Sequence, residues 1–388
     1  MSGTQSSIPF TANVVQHMAP RVWFDYPIED TPTFVVKQIN QVIASPSADR
    51  VAFIAMDRLW VMDYPGGEPE RLDDREMVQM NPSWSPDGSA LVYATWSDAD
   101  GGQVWRVSAD GGTPAQLTSD PALYTDPVWA PNDRIVYVRA PMDGYVAAEN
   151  RGSSSFWWVP ADGGDPTYIA ETEGRGNVHF VEGDDRIWMW AGSGMRTLRW
   201  DGTDERIHFD VEGASVATMS PTGEREALAV SGRDAHIVTI PLARAGDGSP
   251  IEISTGDDDF PAVRLTDDLG GQDIAWFGGD RRVSWGIGNA LVIYDRDDAQ
   301  AFADSVEAAE EAAEDEPEEE ENEEADEDEG SDDEDHYAPV ETRVQIEMER
   351  DIPQGVAALV GARLITMNGD EIIENGTVIV RNNRIEAV

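Results

Sequence analysis

The chain has 388 residues, 40% of them apolar and among them 13 Trp, 9 Tyr and 10 Phe, enough for two or three domains with sizeable cores and weighted toward strand formers. It has no cysteine, which excludes disulfides and thiolate metal sites, and no apolar run approaches the roughly 18 residues of a membrane span. Its 76 acidic residues against 27 basic ones leave a net charge of −49, which excludes nucleic acid and anionic membranes as partners, because both ask for clustered Lys and Arg.

Residues 1–30, beginning "MSGTQSSIPFTANVVQHMAP", read as an N-terminal extension. They lack the basic start and apolar stretch of a secretion signal. Either the protein is cytoplasmic or Met1 is not its natural beginning.

From residue 31 to 298 one unit recurs. Its clearest copy is "PSWSPDGSALVYATWSDADGGQVWRVSADGGTPAQLTSD", Pro82 to Asp120. Ser85-Pro86-Asp87-Gly88 is a turn, with proline presetting one φ and glycine closing it. "ALVYATW" alternates side chains as a strand does. "QVWRVSADGG" gives the next strand and an Asp110-Gly111 hairpin, "TPAQLT" returns as a short outer strand, and the residues around Trp84 supply a fourth. Turn prolines at Pro46, Pro86, Pro131 and Pro221, with degenerate turns near Gly183 and Gly278, mark about six such units. A period near 40 to 50 residues with four strands each predicts an all-β fold, a β-propeller of about six four-stranded blades. Trp84, Trp129 and Trp276 fall at one point of their units, where stacked blades need large flat side chains.

The last unit ends at "LVIYDRDD" without the outer strand of the others. Thr31–Ile39 and Val340–Glu349 are the two segments able to fill that edge and close the ring, and the earlier one is the expected choice.

Residues 299–336 read as an acidic linker. Asp304 to Asp335 holds 21 acidic residues and no Lys or Arg, so −28 remains outside it. The Ala/Glu-rich start predicts a short helix and the polyacid after it disorder, since like charges repel and nothing apolar is left to bury. Calcium-loop spacing is absent. An acidic surface of this kind fits solubility in concentrated salt, or an ordinary acidic protein with an acidic linker.

Residues 337–388 return to globular sequence. In "VAALVGARLITMNGDEIIENGTVIVRNNRIEAV", Val356 to Val388, short apolar runs alternate with Asn-Gly and Asn-Asn pairs, a β-meander whose apolar face needs a partner layer.

The histidines, His17, His179, His208, His236 and His336, form neither His-x-His nor His-Glu-x-x-His. Each reads as a strand or loop residue rather than a metal ligand. There is no Gly-x-Ser-x-Gly elbow, phosphate loop or dinucleotide fingerprint. The sequence therefore assigns no catalytic, cofactor-binding or metal residue to this chain.

Two resemblances complete the reading. The "SPDG", "LVY" and "ADGG-P…LT" elements of residues 31–298 resemble the TolB-like (WD40-like) propellers. "GARLITMNGDEIIENGTVIVRNNRIEAV" resembles the opening strands of the metal-dependent amidohydrolases, in which a small β-sandwich begins in this way and a catalytic (β/α)₈ barrel follows, its first strand bearing a His-x-His pair. The resemblance implies a hydrolase of amide or cyclic-amide C–N bonds. A divalent metal, zinc by preference, and the small-molecule or peptide substrate would both sit in the barrel, outside this chain. The propeller would gate substrate or bind a protein partner, and the relatives' habit of export implies a periplasmic or secreted protein. A non-catalytic binding propeller and the propeller of a prolyl-oligopeptidase-like serine peptidase are the alternatives; the meander argues against the second, which would continue as strand–helix alternation.

Overall fold

A computed structural model describes residues 31–142, 154–192, 194–241, 250–256, 261–266, 271–314 and 337–388. The N-terminal extension and the polyacid of 315–336, expected as disorder, lie outside the described residues. The chain divides into a large unit, Val35–Met348, and a second one that holds Glu349–Val388.

The large unit is a β-propeller of six antiparallel sheets. Blade 1 comprises Asn40–Ala44, Arg50–Ala55, Arg58–Asp63 and Glu70–Arg71. Blade 2 comprises Val78–Trp84, Ala90–Ser97, Gly101–Ser108 and Ala115–Gln116. Blade 3 is Leu123–Trp129, Arg134–Ala140, Ser155–Pro160 and Thr167–Glu171. Blade 4 is Arg175–His179, Ile187–Ala191, Gly194–Leu198 and Arg206–Val211. Blade 5 is Ala214–Met219, Glu226–Ser231, Asp234–Thr239 and Ala262–Arg264. Blade 6 is Gln272–Phe277, Arg282–Ile287, Ala290–Asp295 and Val340–Arg343.

The repeated turn forms as its residues dictate. Gly88 takes φ +72°, its N–H reaches the carbonyl of Ser85 at 2.9 Å, and Asp87 Oδ1 accepts the hydroxyl of Ser85 at 2.6 Å and the amide of Ser89 at 3.0 Å. Those bonds, the one from Ser85 largest, hold the Asp87 carboxyl down at about 2. The second strands of blades 1 and 2 are nearly all buried, as strands flanked by neighbouring blades must be.

The core lies between blades rather than within them. Ala52, Leu59 and Val61 of blade 1 pack with Trp84, Leu91 and Tyr93 of blade 2. Val136, Phe156 and Ile169 of blade 3 meet Val178, Ile187 and Met189 of blade 4. Each fully buried side chain of this size stabilises the ring by about 1.5–3 kcal/mol. The indoles sit at these seams: Trp84 Nε1 donates to Ile43 O at 3.3 Å and Trp276 Nε1 to Thr218 O at 3.2 Å, each reaching the inner strand of the blade before. Tyr64 of blade 1 meets the ring of Phe277 of blade 6 edge-on, centroids 5.2 Å apart, so the ring closes on itself.

Two features depart from the sequence reading. The edge of blade 6 is filled by Val340–Arg343, which pairs with Ala290–Ile293, and not by Thr31–Ile39. In that earlier segment Val36 N–H bonds Ile346 O and Ile39 N–H bonds Gly288 O, both at 2.9 Å. The stretch read as a linker between domains is therefore an excursion inside blade 6, between its third and fourth strands. It begins as a 19-residue helix, α1 (Arg296–Glu314), capped by Asp295 Oδ1, which accepts the amide of Asp297 at 3.0 Å. Tyr337, at the returning end, lies edge-on to Tyr294 at 5.2 Å and 6.4 Å from Phe302 of the helix, holding both ends against the blade.

The second departure is a strap. After its third strand, blade 5 sends Ile251–Ile253 to pair in parallel with Arg206–Val211 of blade 4 before its own outer strand forms. Ile253 is fully buried there. The strap covers the edge of blade 4, which would otherwise present unpaired backbone.

In the second unit, Val356–Ile365, Ile372–Arg381 and Arg384–Ala387 form the expected three-stranded meander. Asn382 and Asn383 take φ +46° and +63°, the paired left-handed geometry of a tight hairpin.

Candidate functional site

The inner strands of blades 1, 2, 3, 4 and 6 each carry a bulge at the same step. The residue there takes left-handed backbone and is polar in every case: Gln41 (φ +53°), Asn81 (+50°), Asp126 (+49°), Asn177 (+51°) and Asp273 (+55°). Amide and carboxylate side chains tolerate this conformation better than most, and bulges re-aim side chains where a sheet meets a ligand or a neighbour. These residues also join the blades. Asn81 N–H donates to Gln41 Oε1 at 2.6 Å, Gln41 N–H donates to Asp273 Oδ2, and Asn177 Nδ2 donates to Ala217 O at 2.9 Å and Thr218 Oγ1 at 2.8 Å in blade 5. Asp126 is exposed on its bulge, and partial desolvation by the protein around it raises its carboxyl above the usual range.

Where blades 6, 1 and 2 meet, a cavity of about 560 Å³ is lined by Asn40, Gln41, Ile54, Asp57, Val78, Gln79, Met80 and Asp273. Asp57 lines it from the hairpin Met56-Asp57, both residues at positive φ (+50° and +58°) without a glycine, a conformation that costs free energy. The wall behind is rigid. Gln79 is fully buried; its Oε1 accepts Leu59 N–H at 2.7 Å and its Nε2 donates to Arg75 O at 3.2 Å.

Behind Gln79 lies a buried polar network. Asp73 Oδ2 accepts Tyr93 Oη–H at 2.7 Å and the guanidinium of Arg75 at 2.5 Å, while Arg75 lies 3.6 Å over the ring of Trp105. Burial opposes ionisation of Asp73, but the bonds from Arg75 and Tyr93 outweigh it and the carboxyl falls below its ordinary range. Burial, then the bond to Asp73, drives the Tyr93 phenol far up. The network is satisfied and stitches blade 1 to blade 2.

Among the described residues, no histidine lines this cavity. His179 lies on the inner strand of blade 4, its Nδ1 bonded to Asn177 O at 2.8 Å. His208, on the outer strand of the same blade, stacks on Trp188 with centroids 4.5 Å apart. His236 is buried in blade 5. His17 and His336 lie outside the described residues. Among the described residues no group of three or more His, Asp or Glu is placed to hold a metal ion.

The polar bulges were missed by the sequence reading, although a signal was present. Asn81, Asp126 and Asp273 each stand three residues before the tryptophan of their unit, and Asn177 three before Phe180.

No family model matches this chain, and no curated protein matches it. Among solved structures it is similar to a putative TolB from Agrobacterium tumefaciens, 15% identical over 60% of this chain and 91% of that one, TM-score 0.43. TolB from Acinetobacter baumannii is 15% identical over 67% and 61%, TM-score 0.47. A gluconolactonase from Xanthomonas campestris is 13% identical over 67% and 86%, TM-score 0.48. The six-bladed propeller assignment rests on the sheets themselves. Among the described residues no helix is long and apolar enough to cross a membrane.

Proposed function

We propose that this chain is the propeller-bearing part of a metal-dependent amidohydrolase acting on amide or cyclic-amide C–N bonds, with the propeller admitting substrate or docking a protein partner. The observation that carries the reading is the meander. Its strands present Leu359 at 60%, Val360 at 77%, Ile365 at 67% and Ile385 at 70% exposure, and apolar surface of this extent supports a partner layer. The motif "GARLITM…NGTVIV…RIEAV" supports the same partner layer. The chemistry would reside in a barrel, whose divalent metal would lower the pKa of bound water and supply hydroxide. The propeller's contribution is the rim of polar bulges and the cavity between blades 6, 1 and 2. Export to the periplasm or beyond belongs to the same proposal.

The test is to express the coding region continued past Val388 beside the 388-residue chain and assay both with dipeptides, hydantoins and lactams. The longer product is expected to bind stoichiometric zinc and turn substrate over only with it. Zinc-dependent turnover by the 388-residue chain, or no metal-dependent hydrolysis by the longer one, overturns the reading.

A further inference from the structure

The cavity between blades 6, 1 and 2 has a lining of unequal character. Ile54, Val78 and Met80 give it an apolar floor; Asp57 and Asp273 put two carboxylates on it, and among the described residues no Lys or Arg lines it. The nearest cation in sequence, Arg58, is committed elsewhere: its guanidinium pairs with Glu76 at 2.8 Å and donates to Met77 O at 3.2 Å. Gln79 is spent on Leu59 N–H and Arg75 O. Asp273 keeps one oxygen on Gln41 N–H. Met80 in the floor is an unbranched and polarisable side chain suited to adapting to a ligand.

From these groups we infer that the cavity binds an alkyl-guanidinium or alkyl-ammonium group, the side chain of an Arg or Lys in a peptide, stem on the apolar floor and cation between Asp57 and Asp273. Three arguments select this ligand. A cation is the group that two unpaired-by-cation carboxylates in a concave site recognise best, and guanidinium matches a carboxylate in a two-pronged fork. A volume of about 560 Å³ is within the range of small-ligand sites and admits a stem of several methylenes. The net charge of −49 draws cations to the surface and disfavours anions at this mouth. The inference does not depend on the hydrolase reading, since a propeller that only docks proteins would use the same cavity.

The test follows the methionine methyl signals of the ¹³C-methyl-labelled 388-residue chain by NMR at fixed KCl. The probe is Nα-acetyl-arginine amide, with Nα-acetyl-norleucine amide as the uncharged match and agmatine as the free-amine arm. Saturable shifts of the Met80 signal are expected with the arginine amide and not with the norleucine amide. Asp57→Asn and Asp273→Asn should each weaken binding about fivefold, while Asp110→Asn, on a distant hairpin, should leave it unchanged; asparagine at 273 keeps the acceptor for Gln41, and circular dichroism checks that each variant is folded. Equal affinity for norleucine amide, shifts that rise linearly without saturation, or equal weakening by Asp110→Asn would overturn the inference. Binding of agmatine but not of the arginine amide would overturn the peptide assignment.

Discussion

His179 Nε2 accepts the backbone N–H of Met219 at 3.1 Å, so one imidazole nitrogen of blade 4 is a structural acceptor for blade 5. Its other nitrogen donates to Asn177 O, which fixes a neutral ring. Burial drives the pKa of His179 down to about 4, the bond to Asn177 opposing it. Charged neighbours stand off: Asp184 bonds Trp188, and Arg186 bonds Thr197 and Asp204.

The pH dependence follows from the sign of that shift. The unfolded chain takes up a proton near 6.5 and the folded one near 4, so the stabilisation is complete above about pH 6.5, erodes as pH falls toward 4 and is lost below it. The full effect is about 3 kcal/mol. Urea melts of the wild type between pH 7 and 4 should lose roughly that much, and His179→Gln, which keeps an acceptor without titrating, should flatten most of the slope. A slope unchanged in the variant would place the acid sensitivity elsewhere.

The Asp73 network predicts a graded series. Asp73→Ala removes the carboxylate that Arg75 and Tyr93 share, leaving the guanidinium only its 2.7 Å bond to the phenol oxygen, and should cost about 3–5 kcal/mol. Tyr93→Phe removes a single buried donor and should cost about 1–2 kcal/mol. Guanidinium melts read both; equal costs would mean that the charge on Asp73 contributes nothing.

Salt gives a third expectation. Replacing residues 315–335 with an uncharged Gly/Ser stretch of equal length should raise the melting temperature in dilute KCl. The gain should vanish in molar KCl, where repulsion is screened over a few ångströms. Circular dichroism melts across the KCl range would show it. A loss of fold in either salt would contradict the placement of that stretch as an excursion held by Tyr294, Phe302 and Tyr337.

The meander offers a fourth. Val360→Thr and Ile385→Thr together should reduce binding of the dye ANS by the 388-residue chain and leave the propeller's melting transition in place. Undiminished dye binding would locate the exposed apolar surface on the propeller instead.

The blades were legible because their signals are local. Ser85-Pro86-Asp87-Gly88 dictates a turn by its own dihedral preferences, and Trp84 and Trp276 announce a seam by size alone. Ring closure was not legible. "TPTFVVKQI" and "VETRVQIEME" have equal strand character, and the choice between them depends on which returns beside Ala290–Ile293 in space. The polyacid misled for a related reason, since composition marks a solvated stretch without saying whether it leaves a domain or interrupts one. The bulge residues Gln41, Asn81, Asp126, Asn177 and Asp273 share polarity but not identity, so the fixed spacing of the last four before an aromatic was their one local mark, and their common backbone conformation gives it meaning.

The late closing strand also gives the protein a schedule. On the ribosome the third strand of blade 6 ends at Asp295 and its partner begins only at Val340. At synthesis rates of about 5–20 residues per second, the nascent ring waits roughly two to nine seconds with one edge bare. What emerges during that wait is α1 and the polyacid, with 23 acidic residues between Asp295 and Val340. Neighbouring nascent chains on one message carry the same charge, and that repulsion opposes edge pairing between one incomplete ring and the next.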